Sequence, residues 1–323
     1  MPRDLQKPLG SGFNNRSTAR DVLQSVDVSG KQIIVTGGYS GIGLEAVKAL
    51  SEAGAQVTVP VRNRVKADKT LASVANVTIA DMDLGDLQSV RRFAEDFANT
   101  NQKLDVLINN AGIMACPEKH IGSNWESQFA TNHIGHFVLV DGLLPLLKKA
   151  GQKEGARIIS LSSTAHRVTD IRWDDIHFEN GPYEKWTAYG QSKTANSLFA
   201  IELDKRHKSE GVRAFAVHPG GIMTPLQRHL DKIEMVALGW IDEAGEIAES
   251  AKNVFKSPEA GAATSVWCAT SPSLDGYGGV YCEDCDIAQL AAPDGPRYFH
   301  VAGYAVDEVG ADRLWTETEK MIA

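Results

Sequence analysis

The sequence predicts an α/β protein built on a single doubly wound parallel sheet with helices on both faces. Three observations carry that reading. Short β-branched runs alternate with longer stretches of helical periodicity along most of the chain. Runs such as Val106-Leu107-Ile108 are apolar without alternation, as in a strand covered on both faces. The first run also passes through a glycine-rich turn into an amphipathic helix, the order that parallel strands require.

Residues 1–29 are polar, contain Pro2, Pro8, Gly10 and Gly12, and lack the apolar core of a signal peptide. They read as a flexible N-terminal extension, and residues 30–323 read as one domain. No repeat, low-complexity stretch or Pro/Gly linker divides that domain. Strands are expected at Gln32–Thr36, Gln56–Val61, Val77–Ala80, Leu104–Ile108, Arg157–Leu161, Arg213–Val217 and Gly279–Tyr281. Between the first two, Leu44, Val47 and Leu50 share a helix face that Gly54 closes as a C-cap. Leu87, Val90, Phe93 and Phe97 repeat the pattern after Asp86.

A chain of 323 residues, 43% hydrophobic, can bury a full core. Its net charge of −8 argues against nucleic acid or an anionic membrane surface as partner. No stretch approaches the roughly 20 apolar residues of a membrane span. Four cysteines make no disulfide scaffold, so a cytoplasmic, reducing location is expected. Cys282 and Cys285 form a CxxC that could be a redox or metal pair. With no second CxxC or His pair to complete a site, they read as packing thiols, and no metal is expected. His133 and His136 lack a third ligand and read as helix packing, and Trp267 and Trp315 as core.

"TGGYSGIG", Thr36–Gly43, holds four glycines in eight residues where a strand becomes a helix. Glycine serves turns with φ > 0, and it also leaves helix N-terminal N–H groups bare for a phosphate. The spacing Gly37-x3-Gly41-x-Gly43 is not G-x-G-x-x-G, so the loop alone leaves both uses open. Further fragments follow at strand ends or on helices. They are "LINNAG" (residues 107–112), "TNHIGHF" (131–137), "IISLSS" (158–163), "YGQSK" (189–193) and "HPGGIMT" (218–224). Tyr189 and Lys193 are four apart and face one way on a helix. The carboxyl ends of strands in an open α/β sheet are where ligands bind.

From about Gly30 onward these motifs resemble the short-chain dehydrogenase/reductase superfamily. "TNHIGHF", "SSTAH", "AYGQSKTANSLFA", "GVYCEDC" and "DRLW" are similar to its retinol-dehydrogenase-like branch. The first 29 residues differ from the animal members, which usually begin with a membrane anchor, so a soluble relative is implied. The resemblance implies a Rossmann-type fold and an oxidoreductase that interconverts a carbonyl and an alcohol. Tyr189 is then the acid/base, Lys193 the cation that steadies its anion, Ser163 (not Ser162) the hydrogen-bond donor to the substrate oxygen, and Asn132 the residue that fixes a relay water. Gly37, Ser40, Gly41, Ile42 and Gly43 would hold the pyrophosphate, and Asp83 with Leu84 the adenine. Asn109 and Gly112 would flank the adenosine ribose. Lys193 and Tyr189 would reach the nicotinamide ribose, and Ile222 and Thr224 the carboxamide.

A phenol of pKa near 10 works at neutral pH only if its anion is stabilised by roughly 4 kcal/mol, which Lys193 could help supply. At the end of the second strand Val61 stands where an NAD-selecting acid is expected, and Arg62 follows it with Arg64 and Lys66 nearby. That pattern reads as NADP(H), the plain alternative being a solvated basic patch. His166, three residues past Ser163, matches a family position and is given no chemical role. Segments near 164–188 and 225–257 read as substrate-shaping insertions. Trp173, Phe178, Tyr183 and Trp186 in the first, with Leu226, Met235, Val236, Leu238 and Trp240 in the second, could line an apolar site or merely anchor the insertions. The expected partner is a small-molecule carbonyl or alcohol, with a homo-oligomer left open. Two rival readings are a non-catalytic dinucleotide sensor or scaffold on the same fold and a nucleotide-sugar epimerase or dehydratase. The four polar residues kept together count against the first, and the missing GxxGxxG loop against the second.

Overall fold

The computed structural model describes residues 2–296 and 298–323. The strands are β1 (Gln32–Val35), β2 (Gln56–Val61), β3 (Val77–Asp81), β4 (Val106–Asn109), β5 (His120–Ile121), β6 (Trp125–Glu126), β7 (Ala156–Leu161), β8 (Val212–His218), β9 (Val280–Glu283) and β10 (Asp286–Ile287). The helices are α1 (Pro2–Leu5), α2 (Ala19–Leu23), α3 (Gly41–Glu52), α4 (Arg64–Leu71), α5 (Leu87–Thr100), α6 (Ser127–Phe129), α7 (Gly135–Glu154), α8 (Lys185–His207), α9 (Lys232–Ala237), α10 (Pro258–Thr270) and α11 (Glu308–Ile322).

Eight strands form one sheet in the order β10-β9-β8-β7-β4-β1-β2-β3. All pairings are parallel except that of β10 with β9. Strand order reverses between β1 and β4, so the loops that leave them diverge and open a crevice. One apolar core lies under α5, α7, α8 and α11, and a second under α2, α3, α4 and α10. The central strands supply both cores. In β1, Ile34 faces the first while Ile33 and Val35 face the second, which is why the run is apolar throughout. Gly54, at φ +94°, follows the last turn of α3 and lets the chain reverse into β2.

The first 29 residues are not a free extension. Gln6 is buried, donates to the Tyr281 and Ala288 carbonyls at 3.0 and 2.7 Å, and accepts from Tyr281 N–H at 2.7 Å. The Asp286 carboxylate accepts from the N–H groups of Leu9 and Gly10 at 2.7 and 2.9 Å. Ala19, Val22 and Leu23 of α2 are buried with α3 and α10. A polar composition misleads here because a buried glutamine can hydrogen-bond backbone groups of the sheet as a strand would.

Candidate active site

Two loops at the reversal point form the crevice walls. In the loop after β1, Gly37 (φ +67°) and Gly41 (φ +54°) occupy the left-handed region that glycine adopts without strain. A Cβ on Gly37 would lie 3.0 Å from the Ala111 Cα, so glycine also permits the two loops to touch. Ser40 begins α3 but makes no side-chain cap, which leaves first-turn N–H groups of α3 open to the crevice. Positive φ thus accounts for Gly37 and Gly41, while the start of α3 keeps N–H groups bare. Gly43 serves packing instead: its Cβ would sit 2.4 Å from Asn110 Nδ2, and it does not line the cleft.

The cleft encloses about 700 Å³. Gly37, Ser40, Gly41, Ile42, Arg62, Asp83, Leu84, Gly112, Ser163, Tyr189, Lys193, Ile222 and Thr224 all border it. Asn109 does not. Its side chain lies buried at the end of β4, where neither polar atom finds a partner, and Asn110 borders the cleft instead. The pleat turns neighbouring residues to opposite sides, so one asparagine of the pair must face away.

Among the described residues Arg62 forms no ion pair, whereas Arg64 is held by Asp68 at 3.1 Å and lies 3.8 Å from Asp81. Lys66 sits 5.9 Å over the Tyr39 ring. Of the three basic residues, Arg62 alone borders the cleft. Val61 beside it is buried in the sheet.

Asn132 lies on a π-helical turn, Ala130–Ile134, that precedes α7. Buried Glu126 fixes the start of this segment by accepting from the N–H groups of Gln128 and Phe129 at 2.8 and 2.7 Å. Burial raises its carboxyl above the usual range. The Asn132 amide makes three of its four possible hydrogen bonds. Oδ1 accepts from Ile113 N–H at 2.9 Å, and Nδ2 donates to the Ile113 carbonyl at 3.0 Å and to Ser192 Oγ at 2.9 Å. Its side chain is thus a clamp on the loop after β4, with one lone pair of Oδ1 left over.

Ser163 and Ser162 differ sharply. Ser162 is buried and donates to the Lys193 carbonyl at 2.8 Å, a structural bond between β7 and α8. Ser163 faces the cleft, and its hydrogen bond to Tyr189 favours the phenolate. His166 holds this turn as a buried neutral ring, its pKa lowered to about 4 by desolvation. Nδ1–H donates to the Ser163 carbonyl at 2.6 Å, and Nε2 accepts from Ala302 N–H at 2.9 Å.

Tyr189 and Lys193 share one face of α8, with Lys193 Nζ 5.5 Å from the phenol ring centroid. The expected lowering of the tyrosine pKa is not found. Burial raises it, outweighing the Ser163 hydrogen bond. Burial also lowers the Lys193 ammonium to about 7, and Nζ donates to the Leu161 carbonyl at 2.9 Å. Desolvation disfavours both charged forms at once, an effect that a sequence spacing cannot reveal.

The insertions divide in function. Trp173 packs on the first core and Phe178 is buried against Arg172. The Tyr183 hydroxyl donates to the Cys116 carbonyl at 3.0 Å. These three anchor the insertion. Trp186 faces the cleft, edge-on to Tyr189 at 6.2 Å and to Trp240 at 5.8 Å. With Met114, Leu226, Leu230 and Met235 it forms an apolar cluster around the tyrosine. The cysteines are all free and buried, and no group of residues among those described could hold a metal.

This crevice fits a dinucleotide: bare helix N-terminal amides, glycines where a side chain would intrude, an uncommitted arginine and a polar, lysine-bearing end beside an apolar wall. Comparison with known proteins agrees with that class. The model of the family described as short chain dehydrogenase matches residues 31–234. The "Probable oxidoreductase" of Streptomyces antibioticus is 42% identical over 297 residues, covering 90% of this chain and 97% of the relative. Mouse "Retinol dehydrogenase 12" is 35% identical over 297 residues, covering 90% and 86%. The solved "Pseudomonas aeruginosa RhlG/NADP active-site complex" superposes with a TM-score of 0.61 at 27% identity, covering 80% of this chain and 95% of that one. The fold and site are those of a Rossmann-type oxidoreductase. The chain belongs to the short-chain dehydrogenase/reductase family. Among the described residues no helix is long and apolar enough to cross a membrane.

Proposed function

We propose that the protein is an NADP(H)-dependent oxidoreductase that reduces medium-to-large hydrophobic aldehydes or ketones to alcohols. The observation that carries the reading is the convergence of Ser163, Tyr189 and Lys193 at one point of the cleft, against the apolar cluster of Trp186 and Trp240. The hydride is chemistry that a bound nicotinamide supplies. The chain's own part is to orient the carbonyl and handle the proton. Tyr189 donates its phenolic proton to the substrate oxygen, and Ser163 stabilises the charge that develops there. A tyrosine whose pKa is raised by burial stays protonated at neutral pH, which suits an acid and hence the reductive direction. Lys193, near 7, is a stronger acid than the buried phenol, so passing a proton from its ammonium to the phenolate runs downhill. Four free cysteines fit a reducing cytoplasm.

The NADP(H) choice rests on Arg62, which lines the cleft beside a buried Val61 and forms no ion pair among the described residues. A solved relative carries NADP in its active site, in keeping with this choice. Arg62→Ala should raise KM for NADPH by about one to two decades, the worth of a charge-assisted hydrogen bond, and leave NADH little changed. Equal use of NADH and NADPH by the wild type would overturn the assignment.

The apolar wall sets a second expectation. Along a homologous series of aldehydes, kcat/KM should rise with chain length, each buried CH₂ adding about 0.8 kcal/mol until the pocket fills. Steady-state rates followed at 340 nm test this, and a flat profile or a preference for sugar phosphates rules out the hydrophobic substrate class.

A further inference from the structure

We propose that His136 is a positioning residue that bolts three segments into one cofactor-facing wall: the loop after β1, the loop after β4 and the π-helical turn of Asn132. The inference rests on the dinucleotide reading of the cleft. Thr36, His136 and Asn132 are all buried, so every polar atom among them must be matched within the protein.

The matching is complete for only one histidine tautomer. His136 Nδ1 lies 3.0 Å from the Asn132 carbonyl, which can only accept, so Nδ1 carries the proton. Nε2 is then bare, and it lies 2.9 Å from Thr36 Oγ1. The threonine hydroxyl must be the donor in that contact. Its competing acceptor, the Ile108 carbonyl, is farther away at 3.4 Å. With its proton committed to the imidazole, Thr36 Oγ1 turns its lone pairs toward the N–H groups of Asn110 and Ala111, each at 2.9 Å. The Asn110 N–H is shared with the Ile108 carbonyl at 3.0 Å, while Ala111 has Thr36. Asn110, Ala111 and Gly112 border the cleft, as do Thr36 and Gly37. One neutral imidazole therefore orients the hydroxyl that ties the two cofactor-facing loops, and holds the turn from which Asn132 clamps Ile113.

Lys193 and His133 act on the ring electrostatically, and neither hydrogen-bonds to it. Burial keeps the ring neutral, with a pKa near 4. The bolt is thus in place throughout the pH range in which the enzyme would work.

Two measurements test this. In protein labelled with ¹⁵N-histidine, long-range ¹H–¹⁵N correlations should show His136 as the Nδ1–H tautomer; an Nε2–H tautomer overturns the proposal outright. NADPH affinity is then read by fluorescence titration of three variants with matched thermal stability controls. His136→Phe keeps the ring volume but removes both bonds. His136→Asn can keep the bond to the Asn132 carbonyl. His136→Gln can place an acceptor for the Thr36 hydroxyl. His136→Phe and His136→Asn should weaken NADPH binding about tenfold, the worth of one buried hydrogen bond of ~1.4 kcal/mol, and His136→Gln should restore most of it. A residue that only packs the helix would lower Tm in all three and leave the NADPH Kd of the folded fraction unchanged. If His136→Phe does not fold, the tautomer and the Gln-versus-Asn contrast still decide. Failure of the wild type to bind NADPH or NADH would instead overturn the dinucleotide reading, leaving the tautomer result to judge the bolt.

Discussion

Tyr189→Phe should lower kcat by about 10² to 10⁴ or more while leaving NADPH affinity within roughly twofold of wild type. The phenol is the acid of the proposed reaction, and its ring is buried in the apolar cluster of Met114, Trp186 and Leu230. Phenylalanine fills the same volume, so the packing around Trp186 should persist. The hydroxyl's interaction with Ser163 is the one attraction lost, a stability change of about 1 kcal/mol or less. The test is single-turnover reduction at saturating NADPH, with a melting curve and a cofactor titration alongside. A variant that retains near-normal kcat on a good substrate removes Tyr189 from the mechanism. A variant that loses cofactor binding too shows that the hydroxyl organises the site and does not merely supply a proton.

Much of this architecture could be read in the sequence because its causes are local. β1 and β4 carry continuous apolar runs because each feeds both cores, and Gly37 and Gly41 after β1 sit where the backbone takes positive φ. Tyr189 and Lys193 share a face because four residues make about one helical turn. What could not be read depends on distant partners. Gln6 is ordered by acceptors at positions 281 and 288, and nothing in its own neighbourhood hints at them. The choice between Asn109 and Asn110 is a matter of pleat phase, fixed by pairing with β1 and β7. Trp173, Phe178, Tyr183 and Trp186 look equivalent in sequence, yet only Trp186 reaches the cleft, because it alone lies on α8 one turn before Tyr189. The role of His136 was hidden because its signal is the geometry of Thr36, one hundred positions away. Most consequential is the charge balance at the site. Spacing suggests a lysine that lowers a tyrosine pKa, but burial acts on both groups and drives each toward its neutral form.

That balance leads to the other large expected effect: Lys193→Met should abolish turnover and yet make the protein more stable at pH 6. The ammonium is fully buried, and its pKa falls from the ordinary 10.5 to about 7. Between those two values the unfolded chain holds a proton that the folded chain has released, so stability rises with pH across that window. Below about 7 the amine is protonated in both states, and the folded state bears the whole cost of burying the charge. With about 1.4 kcal/mol for each tenfold in proton affinity, that cost is about 5 kcal/mol. Methionine fills similar space without a charge. It loses the bond from Nζ to the Leu161 carbonyl, worth about 1 kcal/mol, but Asn196 Nδ2 still donates to that oxygen at 2.8 Å. The net gain of roughly 4 kcal/mol should raise Tm by about 6 °C at pH 6 for a chain of this size. The gain should shrink steadily as pH rises and vanish near pH 10. Melting curves of wild type and Lys193→Met at pH 6, 8 and 9.5 measure it. An equal or lower Tm for the variant at every pH would mean that the lysine is solvated or paired in solution, and its place in the buried proton path would have to be given up.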